Sequence, residues 1–150
     1  MGLAFDGYNL PLWVNPIYGI ISSPSGLRIN PVTGRREFHD GIDIAAPVGT
    51  TVVAPRDGTV LAVGNSPSFG HFLRLQHPDG YVSFMAHLHG AVVAVGDTVR
   101  QGEKVAYSGN TGRSTGPHLH YGLFRNGQFV DPAGYVDLPV RANLIAPLTW

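Results

Sequence analysis

The amino-acid sequence predicts an all-β domain built on a largely antiparallel sheet, with very little helix. Twenty glycines and twelve prolines are spread along the 150 residues, where they separate short elements instead of forming a linker. The intervening runs are rich in Val, Ile, Thr, Tyr and Phe, the residue types that favour strands. Hydrophobic residues make up 43% of the chain, which excludes a wholly disordered protein and is sufficient for one domain with a buried core.

Seven short runs have the composition of strands and are bounded mostly by Gly, Pro or Asp. They span residues 51–54, 58–63, 71–77, 81–87, 91–95, 104–108 and 118–124. Asp79-Gly80 lies between the third and fourth runs and is a strong hairpin signal. One helical turn is expected near residues 131–135. Residues 1–20 are apolar but irregular, so we expect a lead-in segment that packs on a domain formed by residues 21–150.

Charge and cysteine content exclude several classes of protein. Ten basic and ten acidic residues balance, so neither a nucleic-acid-binding surface nor a polyanionic tail is indicated. Because there is no cysteine, disulfides, Cys-ligated zinc and a thiol nucleophile are excluded. No run approaches the ~18 apolar residues of a membrane span. We expect the chain to act as a monomer.

The first 21 residues do not have the pattern of a signal peptide. They lack a basic amino-terminal region, and their apolar stretch is interrupted by Asp6, Asn9, Pro11 and Pro16. We therefore expect either an excised domain or a protein that is exported by another route.

Two of the seven histidines lie in the short motif His118-Leu119-His120. Alternation along a strand places both imidazoles on one face and Leu119 on the other. The two rings could share a metal, or one could bind it while the other acts on the bound water. Both could equally be ordinary surface histidines, since so short a motif occurs by chance.

A second candidate pair lies in the motif HDGID at residues 39–43. In an extended chain Ile42 and Ile44 point to the core, while His39, Gly41 and Asp43 point outward. Gly41 would then keep the space in front of a metal open. Taken alone, Asp43 could equally cap a turn.

Together, His39, Asp43 and His120 would supply two imidazoles and one carboxylate. Three protein ligands with a fourth position for water are the pattern of catalytic zinc, whereas four protein ligands close a structural site. Imidazole nitrogen favours zinc over calcium or magnesium, which prefer oxygen. Iron(II) also binds two histidines and one carboxylate, so ligand type alone does not exclude it. The prediction is one zinc ion per chain.

Four segments occur in a characteristic order and spacing. They are FHDGIDIAAPVGT at 38–50, MAHL at 85–88, VGDTVRQG at 95–102 and GNTGRSTGPHLH at 109–120. In this order they resemble the lysostaphin/LytM-type zinc endopeptidases, and the similarity covers about residues 20–136. The resemblance implies a duplicated, lipoyl-barrel-like β fold, with zinc on the floor of a groove walled by loops. It also implies a substrate, the peptides of bacterial peptidoglycan, and a location in the cell envelope or outside the cell.

The resemblance implies that His39, Asp43 and His120 bind zinc and that His87 and His118 are the catalytic pair. Zinc would activate a water, with His118 expected as general base because it shares a strand face with His120. His87 would then orient the reactants or stabilise the oxyanion. The division of work between the two histidines stays open.

Several other positions carry more modest expectations. Strand alternation places His87 on the same face as Met85. His71 and His77 match no motif and are expected at the surface. Two positions depart from the family pattern. His89 stands where Ser is frequent, and Gly122 stands where an acidic residue commonly follows the H-x-H-aromatic motif. Either departure could alter hydrogen bonds around the site or substrate preference.

Two other functions share much of this evidence. A catalytically silent relative could serve as an interaction or activator module in cell-wall or sporulation machinery. Such relatives usually lack one or more metal ligands, whereas all three expected ligands and both expected catalytic histidines are present here. A zinc carboxypeptidase acting on stem-peptide ends would share the chemistry. Whether a glycine crossbridge or a link from D-Ala to a diamino acid would be cut is not encoded in any segment recognised above.

Overall fold

The structure is a computed structural model that describes residues 12–30 and 33–142. Within these ranges the chain forms strands and two short 3-10 turns, Pro78–Gly80 and Pro132–Tyr135, and no α-helix. The strands are β1 (Ile20–Ser23), β2 (Gly26–Ile29), β3 (Arg36–His39), β4 (Ile42–Ala45), β5 (Thr51–Val53), β6 (Gly58–Ser66), β7 (Gly70–Gln76), β8 (Tyr81–Ala91), β9 (Thr98–Val99), β10 (Lys104–Ser108), β11 (His118–Arg125) and β12 (Gln128–Val130). No helical segment in the described ranges is long and apolar enough to cross a membrane. The prediction of an all-β domain is confirmed.

Ten of these strands form one sheet, in which β1, β4, β11, β8, β7, β6 and β9 follow one another. At its side, β10 joins β8 to β5, and β12 extends β11. Strands β2 and β3 form a separate hairpin. All of these strand pairs are antiparallel. The central pair β4–β11 positions the candidate site because it places Asp43 of the first motif beside His118 and His120 of the second.

Six of the seven predicted strands are present, with ends shifted by a few residues at most, and the hairpin at Asp79-Gly80 is present. Both turn residues have positive φ, 63° and 79°, as a tight hairpin requires. The predicted strand at 91–95 is wrong. There the Asp97 carboxylate accepts a hydrogen bond from the backbone N–H of Ala94, which makes the chain turn. The predicted helical turn is the 3-10 turn at 132–135, capped by Asp131.

The main core lies on one face of the sheet and confirms the predicted strand faces. Ile42 and Ile44 of β4 and Leu119 of β11 are fully buried in it. Ahead of β1, Trp13 and Ile17 are also buried. The boundary near residue 20 stays a prediction, and residues 1–11 and 143–150 of the predicted segments lie outside the described residues.

The expectation that His77 lies at the surface is wrong. Its side chain is buried, and its ring nitrogens contact the backbone oxygen of Asp57 at 2.9 Å and the hydroxyl of Ser83 at 2.8 Å. The sequence contained a signal of this burial: side chains alternate along a strand, and His77 is in phase with the buried Leu73 and Leu75. Burial lowers the pKa of His77 below its usual value. His71, by contrast, is partly exposed.

Candidate metal centre

Pairing of β4 with β11 brings the two sequence motifs together. In this register Asp43 lies directly opposite His120, and Leu119 lies opposite Ile44. Because side chains alternate, Asp43, His118 and His120 share the face away from the core. Asp43 Oδ1 lies 3.3 Å from His120 Nδ1 and 3.5 Å from His118 Nε2. The prediction that both imidazoles of the motif face the same side is confirmed.

His39 reaches the same point from the end of β3. Its Nδ1 lies 2.9 Å from the carbonyl oxygen of Pro24, so Nδ1 carries the proton that this hydrogen bond needs. In the neutral ring the lone pair is therefore on Nε2. That atom lies 3.2 Å from Asp43 Oδ1 and 3.2 Å from His120 Nδ1.

The ligand atoms of His39, Asp43 and His120 form a nearly equilateral triangle, with sides of 3.2, 3.2 and 3.3 Å. Zinc bonds of roughly 2.0–2.1 Å at tetrahedral angles place two ligand atoms about 3.3–3.4 Å apart. All three residues are buried. The distances between the three ligand atoms and their chemical types thus fit a zinc ion. A fourth ligand could approach such an ion from outside the plane of the triangle.

The charge of Asp43 is stabilised by its neighbours. Burial alone would raise its pKa, but His120 and His39 favour the ionised carboxylate through hydrogen bonds whenever their facing ring nitrogens carry a proton. With the charges that His39 and His118 have when protonated, they hold the pKa well below its usual range. The carboxylate is therefore ionised at neutral pH. Its second oxygen, Oδ2, lies 3.7 Å from Arg28 Nη1, a contact that the sequence analysis did not foresee.

His87 reaches this face through a β-bulge. Between His71 and Leu73 of β7, β8 contains one extra residue, and His87 has a φ of 60°. The expectation that His87 shares a face with Met85 is therefore wrong. Met85 lies in the core, whereas the His87 ring lies 4.8 Å from that of His118, measured between centroids.

Both remaining imidazoles are held by backbone oxygens. His87 Nδ1 lies 2.7 Å from the carbonyl oxygen of Thr111, and His118 Nδ1 lies 2.7 Å from that of Gly116. Each neutral ring therefore has its lone pair on Nε2. Burial lowers the pKa of His87 to about 4. At neutral pH, His87 is therefore a hydrogen-bond acceptor at Nε2.

Two glycines make room for this arrangement. A Cβ on Gly41 would lie 2.6 Å from the backbone oxygen of Tyr121 and 2.7 Å from the His120 ring. Gly41 thus lets the His120 ring lie against the backbone, whereas the open space in front of a metal that the sequence suggested stays a prediction. At Gly122, a Cβ would lie 3.0 Å from the backbone oxygen of Asp40. The other departure from the family pattern, His89, is exposed.

The five residues lie in one open cleft of about 540 Å³. The β2–β3 hairpin contributes one wall, and the loop that precedes β11 contributes another. Lining residues that the sequence analysis did not single out include Arg28, Glu37, Ser68, Phe69 and Arg113. In the sequence of β2, apolar Leu27 and Ile29 alternate with Arg28, which predicts only that Arg28 lies on the opposite face of the strand. This alternation does not indicate which carboxylate Arg28 contacts.

A β-sheet cleft with two imidazoles and a carboxylate around one point, and two more imidazoles beside it, has the residues of a metallopeptidase centre. Comparison with known families agrees. Residues 37–132 match Peptidase family M23, and the chain belongs to this family. The sequence-based prediction of a lysostaphin-type metallopeptidase is confirmed.

Two curated relatives illustrate the similarity. The chain is 43% identical over 134 residues to the DD-carboxypeptidase/endopeptidase Mpg of Neisseria meningitidis serogroup B, covering 89% of this chain and 30% of the relative. It is 42% identical over 117 residues to the peptidoglycan DD-endopeptidase ShyA of Vibrio cholerae, covering 78% of this chain and 27% of the relative. The chain thus spans less than a third of either relative.

Solved structures share the fold. A zinc-containing peptidase from Vibrio cholerae superposes with a TM-score of 0.69 at 35% identity, covering 90% of this chain and 44% of that one. The catalytic domain of the antimicrobial peptidase lysostaphin from Staphylococcus simulans gives a TM-score of 0.67 at 32% identity, covering 73% of this chain and 86% of that one. The fold described here is therefore similar to that of the catalytic domain of lysostaphin.

Proposed function

We propose that this domain is a zinc-dependent endopeptidase that hydrolyses peptide crosslinks of bacterial peptidoglycan. The observation that carries the proposal is the triangle formed by His39 Nε2, Asp43 Oδ1 and His120 Nδ1, whose sides match the ligand spacing of tetrahedral zinc. One zinc ion would be held per chain. When bound, zinc polarises a carbonyl and lowers the pKa of a bound water to around 7.

In this proposal His118 acts as the general base. Its Nδ1–H donates to the carbonyl of Gly116, which directs the Nε2 lone pair into the cleft. That Nε2 lies 3.5 Å from the ligand atom of Asp43, so a water near the metal is within its reach. A proton taken there can be returned to the leaving amine.

His87 would assist from its position next to His118. Because its Nδ1–H donates to Thr111, the neutral ring can orient a water by accepting a hydrogen bond at Nε2. It can donate to an oxyanion only after it has gained a proton during the reaction. His87 and His118 face each other across 4.8 Å between ring centroids, so they form a pair that can exchange these duties.

The substrate class comes from the relatives. The similar proteins are named as a peptidoglycan DD-endopeptidase and a DD-carboxypeptidase/endopeptidase. An enzyme of this kind works in the cell envelope or outside the cell, where peptidoglycan is found. The second name also supports a carboxypeptidase as second candidate. The silent module is disfavoured, because all five chemical positions are present and lie together.

Digestion of purified sacculi tests the activity. We expect crosslinked muropeptide dimers to disappear, activity to be lost with chelator, and zinc to restore it. Mass spectrometry separates the candidates, since a carboxypeptidase releases single D-amino acids and leaves crosslinks intact. His71→Ala, a change of a partly exposed histidine, serves as control and should retain activity. Persistence of all crosslinks on several wall types would contradict the proposal.

Metal analysis tests the cofactor separately. Protein prepared without chelator is expected to contain one zinc per chain. A stoichiometry near zero, or a site that takes up only a hard cation such as magnesium, would contradict the proposed zinc centre.

A further inference from the structure

Arg28 of β2 links the hairpin to the candidate metal centre. Its Nη1 lies 3.7 Å from Asp43 Oδ2, the carboxylate oxygen that does not belong to the ligand triangle. Both side chains are shielded from solvent, with 16% of Arg28 and 3% of Asp43 exposed. An ion pair in such surroundings is screened far less than one at the surface.

The guanidinium is held in place by other groups. Its Nη1 donates to the hydroxyl of Ser23 at 3.3 Å, and its Nη2 lies 3.7 Å from Glu37 Oε1. Glu37 Oε1 in turn accepts a hydrogen bond of 2.9 Å from the side chain of Asn30. The planar guanidinium thus lies between two carboxylates, and only one of these belongs to the metal triangle.

We propose that Arg28 is a positioning residue that keeps Asp43 a one-oxygen ligand. A carboxylate can bind a metal through one oxygen or both. A cation at Oδ2 withdraws that oxygen from the metal and reduces the electron density that Oδ1 donates. The metal then remains a stronger Lewis acid, with one coordination position left open for chemistry. This inference rests on the proposed zinc function.

The proposal makes an unusual prediction for Arg28→Met, which keeps the length of the side chain but removes its charge. Freed from the cation, Asp43 can bind through both oxygens, so zinc affinity should stay equal or rise. Activity should nevertheless fall about 10–100-fold, the usual range for partners of metal ligands. The acidic limb of the pH–rate profile should move to higher pH, because the metal activates its water less well.

Cobalt substitution provides a readout that does not depend on activity. Cobalt(II) absorbs strongly in the visible range when four-coordinate and weakly when five-coordinate. The absorption per cobalt is therefore expected to fall in Arg28→Met and to return in Arg28→Lys, which restores the charge. Competition with a chelator gives the zinc affinity of each variant.

Arg36→Met is the matched control, since Arg36 lies on the same hairpin but is exposed and outside the cleft. It should leave zinc affinity, cobalt spectrum and pH profile unchanged. If Arg28→Met leaves all three unchanged, or if it loses zinc and thermal stability together, the positioning role is overturned. Arg28→Gln is measured in the same way should Arg28→Met not fold. A wild-type protein that binds no zinc would instead contradict the proposed function.

Discussion

The bulge at His87 allows a stability test of the geometry that supplies a catalytic residue. His87 has a φ of 60°, in the region where a side chain with a Cβ costs roughly 1–2 kcal/mol. His87→Ala keeps that cost, whereas His87→Gly removes it and adds a chain-entropy cost of about 0.5–1 kcal/mol. The glycine variant should therefore be the more stable of the two, by about 0.5–1 kcal/mol.

The neighbouring Ala86 is the control, because it is buried in the same strand and does not have positive φ. Ala86→Gly should destabilise the protein by at least about 0.5–1 kcal/mol, the opposite sign. Urea unfolding, followed by the fluorescence of the buried Trp13, measures these differences. Chelator is included, since bound metal would add its own contribution to stability.

Both variants at position 87 lack the imidazole, so their activity should fall by roughly 100-fold or more. Activity alone would not distinguish a strained bulge from an ordinary strand end. The order of stability does. If His87→Ala is as stable as His87→Gly or more so, the positive φ is wrong, and so is the reason given for His87 facing the cleft.

Three further predictions address the remaining residues. His120→Ala should lose zinc and activity together. His118→Ala should keep zinc, measured by metal analysis, while its turnover falls roughly 100-fold or more. The reverse pattern would mean that the two histidines have exchanged roles. Leu119→Ala, on the core face of the same strand, should cost about 2–5 kcal/mol in urea unfolding, and a neutral result would contradict the two-faced strand. Burial lowers the pKa of His77 in the folded protein. Below the ordinary histidine pKa of about 6.5, the unfolded state therefore binds more protons than the folded state does. The stability that the neutral His77 contributes should be fully present well above a pH of about 6.5 and should decrease as the pH drops below about 6.5. The decrease should be smaller in His77→Gln, and an equal decrease in both proteins would refute this explanation.

The sequence was informative wherever alternation along a strand continues unbroken. His118, Leu119 and His120 take the predicted faces because β11 is regular, and Asp43 does so because β4 is regular. Alternation continued from β7 also predicts that His77 is buried, because it is in phase with the buried Leu73 and Leu75. The surface was expected instead because His77 matches no motif. In these cases a period of two, combined with residue type, was sufficient.

The same rule could not predict features that depend on two distant segments. The bulge at His87 arises because β8 has one more residue than β7 over the same stretch, and neither strand alone reveals it. The approach of Arg28 to Asp43 depends on how the β2–β3 hairpin folds over the sheet. Such contacts follow from tertiary packing, about which strand composition carries no information.

The contacts around Asp43 argue against a purely structural role for the cluster. A polar network that only stabilises a fold pairs each acceptor with a donor. Here the ionised Oδ1 of Asp43 lies 3.2 Å from His39 Nε2, which is an acceptor in the neutral ring because Nδ1–H donates to Pro24. Two acceptors at that distance repel each other unless a proton or a cation lies between them. A proton satisfies only one such pair, whereas the proposed zinc ion would be bound by all three corners of the triangle at once.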